Sequence, residues 1–155
     1  MPFLNSQHAF RYLLGKVRDL GDLGGGQSHA AALSDAGDVA GCSLTKGGAM
    51  HAFVQLAEEQ GMIDLGTIGL YTDFRATSVN SSGVVVGTAG GLKGHKSHGF
   101  LYTPQSGMLD LNQLVAKGLK VEVYSAASID DEGQIAVHGM VNGAEGDFIL
   151  VAAAK

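Results

Sequence analysis

Tryptophan is absent, cysteine occurs once, proline twice, and only 16% of the 155 residues are charged. A lone Cys42 cannot form an internal disulfide, so no covalent staple supports the fold; it reads as a small buried hydrophobe in a strand. Two prolines against 24 glycines, with no glycine period of three, exclude a collagen-like rod, and a hydrophobic share of 45% excludes a flexible linker. No apolar run approaches the about 20 residues that a membrane-crossing helix needs. Residues 1–7 carry neither a basic nor an apolar segment, so no export signal is expected in this chain. A net charge of −5 argues against nucleic acid or an anionic membrane as the main partner. What is in excess is glycine, in a chain of single-domain length, and that combination points to many turns.

Self-comparison gives those turns an order. His8-Ala9-Phe10 returns as His51-Ala52-Phe53 and His98-Gly99-Phe100, and a degenerate fourth copy is Gly146-Asp147-Phe148. A second element follows each of the first three, centred on Asp19-Leu20, Asp64-Leu65 and Asp110-Leu111 and opened by Gly15, Gly61 and Gly107. Then come paired elements joined by Ser34-Asp35-Ala36-Gly37, Asn80-Ser81-Ser82-Gly83 and Asp130-Asp131-Glu132-Gly133, with Gly41, Gly87 and Gly139 as a further recurring set.

Each element is short, alternating or β-branched, and bounded by Gly, Asn, Asp or Ser, which is the pattern of a strand. Ser, Asn or Asp opens a type I turn by bonding its own backbone, and Gly37, Gly83 and Gly133 take the left-handed position that closes the hairpin. Residues 111–119 read as a single helical turn or an ordered loop. The expected fold is all-β, with three tandem units of about 45 residues, each of four short antiparallel strands. Their approximate bounds are 8–50, 51–97 and 98–145, and 146–151 is a closing strand beside the first unit. A compact body with pseudo-threefold symmetry is the favoured arrangement; a propeller-like open array and a β-trefoil-like closure are the alternatives.

The motifs His-Ala-Phe, Gly-Met-(Ile/Leu)-Asp-Leu-Gly and Asn-x-x-Gly-x-Val-Val-Gly resemble those of the HAF-repeat family of extracellular repeat proteins. The resemblance spans residues 8–150 and is closest over 51–87, in Asp64-Leu65-Gly66 and in Asn80 to Gly87. Asp22, Asn112 and Gly146 depart from the pattern. The resemblance implies a bacterial, β-rich protein of extracellular or periplasmic location, and it carries over no catalytic residue.

Candidate sites are few. His8, His51 and His98 could converge on the symmetry axis as metal ligands. Alternation instead puts each on the face where Phe10, Phe53 and Phe100 enter the core, and a half-buried His bonding a neighbouring unit's backbone is preferred. Asp19, Asp64 and Asp110 stand singly between apolar residues, which suits turn capping better than calcium binding. Phe148 completes the aromatic set. Asp130-Asp131-Glu132 reads as a solvated turn tip, and the glycine runs fit no phosphate-binding spacing. Lys93, His95 and Lys96 form the one local basic loop that could meet an anionic ligand.

No cofactor is expected. The expectation is a non-enzymatic extracellular or cell-surface module presenting loops to a protein or glycan, itself a monomer or weakly self-associating. The alternatives are a hydrolase or lyase using Asp and His at the axis, and a structural fragment of a longer repeat array.

Overall fold

The computed structural model describes residues 6–153, and its regular structure is almost wholly β-strand. An N-terminal hairpin joins β1 (Phe10–Leu13) to β2 (Lys16–Asp19). A first leaf follows, an antiparallel meander of β3 (Gly24–Leu33), β4 (Val39–Thr45), β5 (Met50–Gln55) and β6 (Ile63–Asp64). The second leaf repeats it with β7 (Asp73–Val79), β8 (Val85–Gly90), β9 (His98–Thr103) and β10 (Gly107–Asp110). One helical turn, α1 (Leu111–Leu114), leads to a third leaf of β11 (Val121–Ile129), β12 (Ile135–Val141) and β13 (Ala144–Leu150). The first two leaves share a single parallel bridge, Met50 to Asp73, and the described strands form no closed barrel, which removes the trefoil-like alternative.

The inner hairpins form as their turn residues dictate. Side-chain oxygens of Ser34, Asn80 and Asp130 accept from the backbone N–H four residues on, at 3.1, 3.1 and 2.7 Å. Gly37, Gly83 and Gly133, at φ of 90, 72 and 83°, donate to the carbonyls of the same three residues.

The aromatic set is held by missing side chains. Cross-strand partners Gly41 and Phe53, and Gly87 and Phe100, set a ring against bare backbone, and both rings are fully buried. A Cβ at Gly41 or Gly87 would strike the His29 or Arg75 carbonyl, next to bulges in β3 and β7, as well as the ring. In the third leaf Phe148 keeps register but faces Val137, and its ring is half-buried. Gly139, expected to match Gly41 and Gly87, lies two residues further on, opposite Gly146 and beside a second bulge in β11.

Three clusters of apolar side chains join the pieces. Ala40, Val54, Leu65, Phe74, Val85 and Phe100 fill the space between the first and second leaves. Val86, Leu111, Val123, Ile135 and Val137 do so between the second and third. Ala9 and Leu20 pack the N-terminal hairpin onto Val39 and Phe53. Burial of each fully enclosed Phe is worth roughly 2 to 3 kcal/mol.

The sheets cut the sequence repeat through its middle. Each His-Ala-Phe strand and its Asp-Leu strand form the outer half of a leaf begun by the preceding hairpin, so the sheets span 24–64, 73–110 and 121–150 instead of starting at 8, 51 and 98. The N-terminal hairpin is an outer half alone. Phe10 therefore has no glycine-bearing strand to lie on and is 65% exposed, against the expectation that it enters the core. The expected closing strand falls within β13, which pairs with β12 and with no strand of the first unit.

Candidate functional site

The repeated His and Asp residues meet each other. In β5 and β6, His51 Nδ1–H donates to the Asp64 carboxylate at 2.9 Å, while Asp64 also accepts the Gly66 N–H at 2.8 Å. The same clasp joins His8 to Asp19 (2.9 Å) and Gly21, and His98 to Asp110 (2.7 Å) and Asn112. Each Asp forms an Asx turn and each His fastens that turn to the start of its partner strand. The expected backbone contact to a neighbouring unit is thus replaced by a side-chain contact within one hairpin. The three imidazoles do not converge, and among the described residues no group of three or more His, Cys, Asp or Glu is placed to hold a metal ion.

The first clasp carries an extra carboxylate. His8 Nε2 lies 2.9 Å from Asp22, off the hydrogen-bonding direction of the ring. The Asp19 hydrogen bond holds the His8 imidazole above its ordinary value, and His8 in turn holds Asp19 below the usual carboxylate range. Asp22 is lowered first by the Gly26 N–H, and it also accepts from Gly24. The Gly24 to Gly26 run, which fits no ligand motif, is thereby a bulged strand start wound about Asp22. A Cβ at Gly25 would collide with Leu44 and Thr45.

The basic loop connects β8 to β9 and is pinned to the third leaf. Lys96 Nζ donates to the Tyr124 hydroxyl at 2.6 Å, and Tyr124 donates to Glu122 at 2.9 Å. The Ser97 hydroxyl donates to the Tyr124 carbonyl at 2.9 Å. Lys93 and His95 are exposed beside Lys96. His138, which no motif marked, bonds Asp147 at 2.8 Å and Glu145 at 3.1 Å and is raised above its ordinary value by them. Cys42 is buried in β4, and burial pushes its thiol up.

Two concave surfaces belong to more than one repeat. The three inner turns come together around a polar depression of about 380 Å³ lined by Asp35, Asn80, Ser81, Asp130, Asp131 and Glu132, with Leu33, Val79 and Ile129. Asp131 is not merely solvated: it accepts from the Ser81 N–H at 2.8 Å and the Ser81 hydroxyl at 3.0 Å, and Asn80 donates to the Asp130 carbonyl at 3.0 Å. An apolar groove of about 710 Å³ opens between the second and third leaves, lined by Leu101, Leu111, Leu119, Val121, Ile135, Phe148 and Leu150. In the second leaf a fourth strand, β10, contributes Met108 to the core it shares with the first leaf. The third leaf has no fourth strand among the described residues. No sequence motif marks the groove. The chain matches no protein-family model and no curated protein.

Proposed function

We propose that the chain is a non-enzymatic repeat module that presents its loops to a protein or a glycan, in the extracellular or cell-surface setting that the HAF-repeat resemblance implies. One observation carries this reading: the inner turn of every leaf contributes to one polar depression, held open by bonds between Asn80, Ser81, Asp130 and Asp131. Repetition of a turn on a rigid scaffold is how many binding surfaces are made. The depression offers amide, hydroxyl and carboxylate groups, which match the hydroxyls of a sugar or the polar groups of a protein loop.

The non-enzymatic part of the reading is supported by the imidazoles. His8, His51 and His98 are engaged in clasps that shape turns, and none of them lines the depression. The alternative hydrolase or lyase, which pairs His with Asp at the axis, would need one of these imidazoles within hydrogen-bonding reach of the reacting atoms.

The test is a glycan and protein array probed with the intact chain and with Asp35→Lys and Glu132→Lys variants, whose side chains lie at exposed turn tips. Binding that the variants weaken supports the reading. Background signal throughout, or binding indifferent to both variants, overturns it.

A further inference from the structure

Three asparagines lie among the described residues, and two of them are locked. Asn80 Oδ1 accepts the Ser82 and Val84 N–H groups, its amide donates to the Asp130 carbonyl, and the next nitrogen in the chain, that of Ser81, donates to Asp131. Asn112 Oδ1 accepts the Val123 N–H at 2.7 Å, and its amide donates to the Val123 carbonyl and to Asp110. Asn142 differs on each count. It stands exposed at the tip of the hairpin between β12 and β13, and its one hydrogen bond to a described residue runs from its backbone N–H to the Lys120 carbonyl. Gly143 follows, also exposed, in the only Asn-Gly pair of the sequence, and its N–H donates to no described residue. The two residues have φ of 51 and 80°, the left-handed pair of a two-residue type I′ turn.

We propose that Asn142 is a site of spontaneous covalent modification, at which loss of the side-chain amide rebuilds the turn and loosens β13. The Gly143 nitrogen attacks Asn142 Cγ, a new C–N bond closes a cyclic imide, and the Cγ–Nδ2 bond breaks. Ammonia leaves, carrying the proton that the Gly143 nitrogen gives up. Glycine suits this step because it has no side chain to crowd the attacking nitrogen. Openings that bring the two atoms together cost least at an exposed turn tip. Water then splits the imide. Attack at Cγ returns an ordinary aspartate, whereas attack at the main-chain carbonyl leaves an isoaspartate, with the chain running through Cβ. An aspartate fits the left-handed position that Asn142 holds. An isoaspartate does not, because a main chain longer by one carbon cannot close a two-residue turn with Val141 opposite Ala144. The ladder that seats Phe148 and Leu150 in the apolar groove, and Asp147 and Glu145 against His138, begins at that turn. Among the described strands β13 pairs with β12 alone, so no second ladder holds it when the turn fails.

Storage of the intact chain at mildly alkaline pH, followed by peptide mass spectrometry, tests this. Asn142 is expected to convert on the order of a hundredfold faster than Asn80 or Asn112, since three carboxamide hydrogen bonds must open first at each of those and each lowers the reactive population roughly fivefold. Electron-transfer fragmentation distinguishes isoaspartate from aspartate in the product. Hydrogen exchange then reads the consequence: amides of residues 144–150 should lose protection in the isoaspartate-bearing chain. They should keep it in an Asn142→Asp chain, which carries the new charge on an unaltered backbone. An Asn142→Gly chain, whose Gly-Gly pair suits the same turn and holds no amide to lose, should keep it through storage. Conversion of Asn80 or Asn112 as fast as Asn142 overturns the proposal. So does an Asn142 still intact after a free peptide of residues 138–147 has converted, or an isoaspartate that leaves residues 144–150 protected.

Discussion

The Phe100 ring lies across the bare backbone of Gly87 in the adjacent strand, and the space between them admits no further carbon. Phe53 and Gly41 repeat the relationship one leaf earlier. A methyl group at either glycine meets a bulged carbonyl on one side and an aromatic ring on the other. Gly87→Ala is expected to destabilise the protein by about 3 kcal/mol, at the upper end of overpacking costs, and Phe100→Ala by about 3 to 5 kcal/mol. Urea unfolding followed by circular dichroism checks both, and a Gly87→Ala change of a few tenths of a kcal/mol would contradict the packing described.

The clasp of His8 with Asp19 makes stability depend on pH in a definite direction. The folded-state value of His8 is raised, so its contribution is fully present below the unfolded value of about 6.5 and fades as pH rises through the folded one. Those of Asp19 and Asp22 are lowered, so theirs is present above about 4 and is lost as pH falls. The clasp therefore acts most strongly in the mildly acidic window between the two. His8→Gln should cost more stability at pH 5.5 than at pH 8.5, with a small difference because the groups lie near the surface. Equal costs at the two pH values, measured by denaturant titration, would dismiss the clasp as a titrating element.

The second and third leaves are joined at their turn tips by side-chain hydrogen bonds. Asn80 is buried, bonds its own turn through Ser82 and Val84, and donates across to Asp130. Asn80→Ala leaves those backbone groups unpaired and should cost about 2 kcal/mol, whereas Asp131→Ala at the exposed rim should cost about 1 kcal/mol. Thermal unfolding of the two variants gives the comparison. An Asp131 effect larger than that of Asn80 would reverse the assignment of the anchor.

Much of this arrangement is legible in the residues. The hairpin turns sit where Ser34, Asn80 and Asp130 stand three residues before a glycine, and the single turn of α1 follows Asp110, whose carboxylate accepts the Asn112 N–H. Turn chemistry is local, so local sequence suffices to place it. The phase of the sheets is not local. A repeat has no intrinsic starting point, and only strand pairing decides that the His-Ala-Phe strand completes the leaf before it. Phe10 shows the consequence: its motif equals that of Phe53, but its environment depends on a strand that does not lie beside it. Gly139 misleads for a related reason, since a tight turn at Asn142 and Gly143, both at positive φ, fixes the ladder so that Val137 takes the aromatic partner. The clasps lay within reach of the sequence. His and Asp recur at nearly constant separation, and the cross-strand register makes them neighbours.

Within each leaf every strand pairs only with the one before or after it, and a single bridge crosses from the first leaf to the second. Backbone pairing is thus almost entirely a matter of short loops, whose closure costs little entropy, while cohesion between leaves comes from side-chain burial and side-chain hydrogen bonds. Such a chain can raise its hairpins one leaf at a time, in any order, and acquire cooperativity only as adjacent faces dry against each other.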